Sequence, residues 1–403
     1  MKTLLTAIIA LACMAANADN GNIVEESIFT DSYRLKSEKA GTLSLSIDNT
    51  SFLKDNNNDG DILPGYTMSG FRLAPRLIWQ PASTIKIEGG LSMLKFFGAN
   101  RYPNYAYSNI AEWKADSYQA GFHLLPFFRA QIQPAPQLNI IFGNLYGGSN
   151  HNIIEPLYNR EQNFSADKET GTQLIYNPKI MHLDAWVNWE TFAFKNENRN
   201  EALSVGVSSC FHITNPEAQL YFGIPIQTLI CHSGGEIDAI KGTNITQTNS
   251  AAGVKTILHP NRKWIQAVEI NILLAAYRQL NVSDTKNGKA ICTTLNVRIK
   301  NVNLKLNFWR SEDFTNLFGH PLFGNISLEH EDWKYPKTTV FNPGIKYESS
   351  IAKGCYLGAE ADLFYNPEAT AFIDGTDFVK QYTSGSWSAG LYLRINPEII
   401  LKK

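Results

Sequence analysis

The chain has 403 residues and a net charge of −1, with 44% hydrophobic, 12% aromatic and 18% charged residues. Basic side chains number 36 against 37 acidic ones, so no cationic excess exists to neutralise a phosphate backbone, and a nucleic-acid partner loses its electrostatic footprint. Plentiful aromatics exclude a disordered acidic chain, and the lack of an 18-residue apolar run beyond the N-terminus excludes a helical membrane protein.

Taken in chain order, the first element is an export signal. Lys2 supplies a positive start, Leu4 to Ala16 is apolar, and Ala16-Asn17-Ala18 is a small-x-small cleavage site, so residues 1–18 are expected to be removed. Residues 19–40 then precede the first strand and are expected in the periplasm. Of the remaining cysteines, Cys210, Cys231, Cys292 and Cys355, none forms a CxxC pair, and they read as isolated small apolar residues.

From residue 41 onward the pattern has a period of two. In Val302–Trp309, the residues Val302, Leu304, Leu306 and Phe308 share one face and Asn303, Lys305, Asn307 and Trp309 the other. Leu295–Lys300, Trp387–Ile395 and residues 182–190 alternate in the same way. Short turns at 80–83, 133–136, 177–179, 215–217, 259–261, 300–301 and 352–354 alternate with longer polar stretches near 50–66, 97–116, 147–170, 195–200, 232–247, 279–289, 312–337 and 366–384. That rhythm predicts an all-β fold over 41–403: a transmembrane antiparallel β-barrel of about sixteen strands, with short periplasmic turns and longer outer loops, in the cell outer membrane. Closure is required, because an open edge in hydrocarbon leaves backbone groups unpaired.

Charged residues at mid-strand on the polar faces are expected to line the lumen: Arg72, Arg76, Glu88, Asp184, Glu190, Glu269, Arg298, Lys305, Glu360, Asp362 and Arg394. About sixteen strands would leave an interior too wide for wall side chains alone to fill, and so a wet one. The run Asp55-Asn56-Asn57-Asn58-Asp59-Gly60-Asp61 supplies the first positions of a calcium loop through Asp55, Asn57, Asp59 and Asp61. Tyr66 stands where the bidentate glutamate belongs, so the run reads equally as a polar turn.

Residues 48–54 (DNTSFLK), followed by Pro64-Gly65-Tyr66-Thr67 and Gly70-Phe71-Arg72-Leu73, together with the plan of the whole mature chain, resemble porin-like outer-membrane β-barrels of Gram-negative bacteria. The resemblance implies a third outer loop that folds inward, with His151, Glu155, Tyr158, Arg160 and Glu161 at a constriction; an outward loop on the rim is the competing arrangement. Many such barrels end on an aromatic residue, whereas this chain ends Ile399-Ile400-Leu401-Lys402-Lys403. Either the assembly signal is unconventional or the terminal strand ends near Ile395 with a short tail.

These readings lead to a passive channel for small hydrophilic solutes, without enzymatic activity or cofactor. Its expected partners are outer-membrane lipid and those solutes, with homo-oligomerisation left open. The alternative is a loop-occluded barrel acting as a surface binding, adhesion or assembly protein. Third comes a barrel-embedded hydrolase, for which Ser204, Ser208 and Ser209 would have to meet His123, His182 or His212.

Overall fold

The structure is a computed structural model that describes residues 28–58, 62–97, 123–192, 200–235, 244–260, 262–281, 286–328, 330, 333–373, 376 and 379–403. The expected signal peptide and positions 59–61 of the calcium-like run lie outside these residues. Within that run, Asp55 and Asn57 belong to a strand, and Asp55 accepts a 2.5 Å hydrogen bond from Thr67.

Strands follow one another in chain order: β1 Thr42–Asn57, β2 Tyr66–Ala82, β3 Ile85–Phe96, β4 His123–Ala135, β5 Leu138–Asn144, β6 Thr170–Tyr176, β7 Met181–Thr191, β8 Ala202–His212 and β9 Leu220–Ser233. Then come β10 Ile245–Leu258, β11 Ala267–Leu280, β12 Asn287–Ile299, β13 Val302–Glu312, the two-residue β14 Trp333–Lys334, β15 Lys337–Ala352, β16 Cys355–Ile373, β17 Val379–Ile395 and β18 Glu398–Lys402. Each wall strand pairs antiparallel with its neighbour, and β1 pairs with β2 on one side and with β17 and β18 on the other. Because β17 and β18 run along the same partner and β14 only extends the β13–β16 region, the wall is a closed barrel of 16 strands. The tail expected beyond Ile395 is not loose. The chain breaks at Asn396-Pro397 and resumes pairing with β1 as β18, with Ser46 opposite Glu398. Short turns lie at the periplasmic end and long loops at the outer end.

The apolar side chains of the alternating pattern face outward. Ile270, Ile272 and Leu274 on β11, Leu304 and Leu306 on β13, and Phe222, Ile224 and Ile226 on β9 are exposed on one face, as a lipid-facing band requires. Prolines sit where the ladder is interrupted. The β2–β3 pairing skips Pro75, the β9–β10 pairing skips Pro225, and the β15–β16 pairing skips Pro343, so a residue without an N–H costs no ladder bond there.

The interior departs from the water-filled lumen expected for this strand number. Among the described residues it is filled by three segments: residues 28–36, the third outer loop at 145–169, and a second outer loop through residues 313–328 and 333–335. In the outer half these make an apolar core. Leu145, Leu157, Phe314, Leu322, Phe323 and Tyr335 from the loops pack against inward wall residues Trp186, Leu229, Leu273, Tyr277, Trp309 and Phe364. Trp309 donates from Nε1 to the Phe323 carbonyl at 2.8 Å, tying wall to loop. Residues expected in the periplasm enter the barrel too. Ile28 is buried against Gly358, where a Cβ would stand 2.2 Å from Ile28 Cδ1, and Phe29 meets Tyr392 edge-on at 4.9 Å.

A connected set of charges fixes the 28–36 segment. Arg394 on β17 holds Asp48 on β1 through two bonds of 2.9 and 3.0 Å, pairs with Asp31, and donates to the Thr30 carbonyl at 2.7 Å. Arg76 continues the chain to Asp48 at 3.4 Å and to Glu88 at 3.3 Å, and Arg129 meets Glu88 at 3.3 Å. Removing one member of such a buried set leaves charge uncompensated, at about 3–5 kcal/mol. Replacing Arg394 by Met (Arg394→Met) is therefore expected to destabilise the barrel by about that amount in urea unfolding from vesicles. It should also expose the 28–36 segment to protease; unchanged unfolding and protection would show that the network contributes nothing.

Candidate functional site

The third outer loop crosses the lumen, and three polar clamps hold it. At the first, His151 is fully buried and stacks on Trp186 with 3.4 Å between ring centroids and 6° between planes. Its Nδ1 reaches Asp184 at 2.7 Å and its Nε2 reaches Glu169 at 2.6 Å, while Tyr158 donates to Glu169 at 2.7 Å. Burial alone would push the imidazole down, but the Glu169 and Asp184 carboxylates outweigh it and push it up to about 10. Both ring nitrogens therefore donate, and His151 is a structural imidazolium and not a base.

At the second clamp, Lys305 on β13 joins Glu155 of the loop at 2.8 Å and Asp362 of β16 at 2.7 Å. Burial raises the Glu155 carboxyl, yet Lys305 and Arg160 bring it well below the usual carboxylate range. The third clamp centres on Glu161, which accepts from Tyr66 at 2.6 Å and Asn56 at 3.1 Å and lies 3.4 Å from Lys54. Glu360 shares Lys54 at 3.7 Å and accepts from Tyr392 at 2.5 Å. On the second interior loop, His320 stacks on Phe364 at 4.6 Å, and burial pushes it down to about 4. It stays neutral and accepts from the Leu322 N–H through Nδ1.

The sequence-predicted lumen residues all face inward. Arg76, Glu88 and Arg394 belong to the N-terminal network, and Asp184, Lys305, Glu360 and Asp362 belong to the clamps. Glu190 accepts from Ser204 at 2.7 Å, Glu269 pairs with Lys255 at 3.2 Å, Arg298 donates to Gln266 at 3.1 Å, and Arg72 donates to the Ala166 carbonyl. These charges are partnered with each other and with the loops, where an aqueous pore would leave them hydrated. The inward loop carries His151, Glu155, Tyr158 and Glu161 into the barrel but spreads them over the three clamps, and Arg160 lines a cavity on the periplasmic side of it.

The hydroxyl–imidazole pairs considered from sequence are not what the geometry assembles. Ser204 is on Glu190, Ser209 is on the Ile226 carbonyl, His182 is on Asn177, and His212 is on Tyr221 at 2.7 Å. What the loop does assemble is a histidine and a carboxylate at the outer end of the wall. His123, the first residue of β4, lies with Nε2 2.6 Å from Asp167 Oδ1. Asp167 and Lys168 border two adjoining cavities, one with Asp48, Thr50, Arg72 and Arg394, the other with Trp186, Asn188, Glu190 and Ser204. Burial and the nearby Arg72 guanidinium pull Lys168 down to about 8. Asp167 and Lys168 were missed because nothing in the sequence pairs residue 123 with 167. Among the described residues no group of three histidine, cysteine or carboxylate side chains is arranged to hold a metal ion.

The imidazolium of the first clamp sets a pH dependence. A folded value of about 10 against an ordinary 6.5 means that its stabilisation is complete below about 6.5 and is lost as pH rises through about 10. Hydrogen-exchange protection of residues 145–169 is therefore expected to fall between about pH 7 and 10, and His151→Gln should abolish that dependence. Protection that is flat in the wild type over this window would remove the charged assignment.

A family model described as lipid A 3'-O-deacylase-type matches residues 35–403. No curated protein matches. Among solved structures, OccAB1 of Acinetobacter baumannii is similar at 10% identity and a TM-score of 0.48, covering 91% of this chain and 100% of that one. OmpT of Vibrio cholerae in its trimer form is similar at 11% identity and a TM-score of 0.46, covering 88% and 99%. The family match corrects the expectation of a passive channel, of a protein without enzymatic activity, and of small hydrophilic solutes as its partners; porin, channel and transport do not describe it. The packed interior gives that correction its physical reason.

Proposed function

Because the chain belongs to the lipid A 3'-O-deacylase-type family, we propose that it hydrolyses an ester-linked acyl chain of a lipid A-type glycolipid in the outer leaflet. The observation that supports this reading most directly is the His123–Asp167 pair, held at the outer end of the barrel beside the Arg72 and Lys168 cations. A carboxylate on an imidazole nitrogen orients the ring and strengthens it as a base.

In this scheme His123 takes a proton from water, and the oxygen attacks the acyl carbonyl. The tetrahedral intermediate collapses as the C–O bond to the sugar breaks, and the sugar oxygen takes the proton back from His123. A fatty acid and a free hydroxyl result. Arg72 and Lys168 supply positive charge for the oxygen on which negative charge develops, and stabilisation of that oxygen is usually what accelerates acyl transfer most. His151 takes no part, since its protons are committed to Asp184 and Glu169.

The test is mass spectrometry of lipid A from vesicles incubated with the folded barrel. The expected product has lost one ester-linked acyl chain, and His123→Asn should lower the rate by about 10²–10⁴-fold with an intact barrel. A folded wild-type barrel that leaves every acyl chain in place would overturn the reading, and an undiminished His123→Asn rate would remove His123 from it.

A further inference from the structure

The wall is not equally tall all round. Strands β5 and β6 have 7 residues each, against 13 in β4 and 11 in β7. At a rise of about 3.4 Å per residue and a tilt of about 45°, such strands cover about 17 Å, short of the apolar band of about 25 Å. Pairing between β4 and β5 begins only at Arg129–Gly143, and pairing between β6 and β7 ends at Gly171–Asn188. The outer part of β4, residues 123–127, therefore has β3 on one side and no strand among the described residues on the other.

The details of this edge suit hydrocarbon. The Phe128 N–H points toward β5, where the Asn144 side chain accepts it at 2.9 Å. By strand alternation the backbone groups of Leu124 and of residue 126 point the same way. Residue 126 is proline, so where no described strand faces it this edge carries one donor fewer, at the place where a donor would be most costly. Leu124 and Phe128 on β4, and Phe142 on β5, are more than 45% exposed and continue the lipid-facing band up to the gap. Behind them the lining turns polar. Asp167, bonded to His123 at the β4 edge, and Trp189 and Asn188 at the β7 edge border one cavity, with Ala166, Lys168 and Trp186 farther in.

We infer that an acyl chain of an outer-leaflet lipid enters the barrel sideways through this low stretch of wall, between β4 and β7. The inference rests on the hydrolase reading and says how its substrate arrives. Apolar rim residues meet the chain, and the ester and sugar stay beside His123, Asp167 and Lys168 where the lining is charged. Continuity of the gap with the lipid band favours a chain drawn from the membrane over a solute descending from the outer loops.

The experiment does not depend on turnover. Folded His123→Asn protein is placed in vesicles containing a phospholipid with a photoactivatable diazirine close to the ester end of one acyl chain, irradiated, and mapped by peptide mass spectrometry. Adducts are expected on inward residues of the Ala166–Glu169 stretch and on Trp186, in addition to outward residues such as Leu274. Ala166→Trp, which narrows the cavity, should lower the inward adducts several-fold and leave those at Leu274 unchanged. Adducts confined to outward residues would overturn lateral entry, as would inward adducts insensitive to Ala166→Trp. Deacylation by the wild type together with outward adducts alone would sink the entry route and keep the hydrolase. Inward adducts without any deacylation would do the reverse.

Discussion

A sheet in hydrocarbon has only itself to hydrogen-bond with. From that constraint follow the closure of 16 strands, the return of β18 to β1 after the break at Asn396-Pro397, and the placement of Pro75, Pro225 and Pro343 at interruptions of the ladder. It also makes the short pair β5–β6 conspicuous. Where a barrel leaves an edge beside lipid, the edge has to be made tolerable, and here Asn144 caps one N–H while Pro126 removes another.

Inside the wall a different economy holds. A barrel of this circumference cannot fill itself with wall side chains, so loops enter, and loops carry polar backbone and charge. Every clamp on the third loop joins it to a distant strand: His151 to β7, Glu155 to β13, Glu161 to β1 and β2. The two interior histidines show how burial and neighbours divide one residue type between two states. Two carboxylates keep His151 charged, whereas His320, stacked on Phe364, is kept neutral by its desolvation.

Strand positions and facing were legible because a period of two is a local property. Asn303, Lys305, Asn307 and Trp309 were assigned to one face from sequence, and in the structure Lys305, Asn307 and Trp309 meet interior partners. Strand ends were less so: β16 runs to Ile373 and β17 starts at Val379, inside a stretch read as loop. The packed interior was misread, although a signal existed. In Ile272–Tyr277 of β11 both faces are apolar, which suits lipid on one side and a core on the other, and Ile153, Ile154, Leu157 and Phe164 are apolar within a loop that is mostly polar. The His123–Asp167 pair was beyond reach, since the contact spans 44 residues and depends on how the loop turns inside the barrel.

Unequal strand heights have a consequence for the bilayer as well as for the protein. On the β15–β17 side, strands of 16 to 19 residues stand well above the hydrocarbon, while the β5–β6 side falls short of it. Lipids meeting the low side must thin or tilt to cover it, at a fraction of a kcal/mol per Å of mismatch, and those on the tall side need not. The molecule thus has a front and a back in the plane of the membrane. The leaflet is softest, and its chains most easily lifted out of register, along the arc where the wall is lowest.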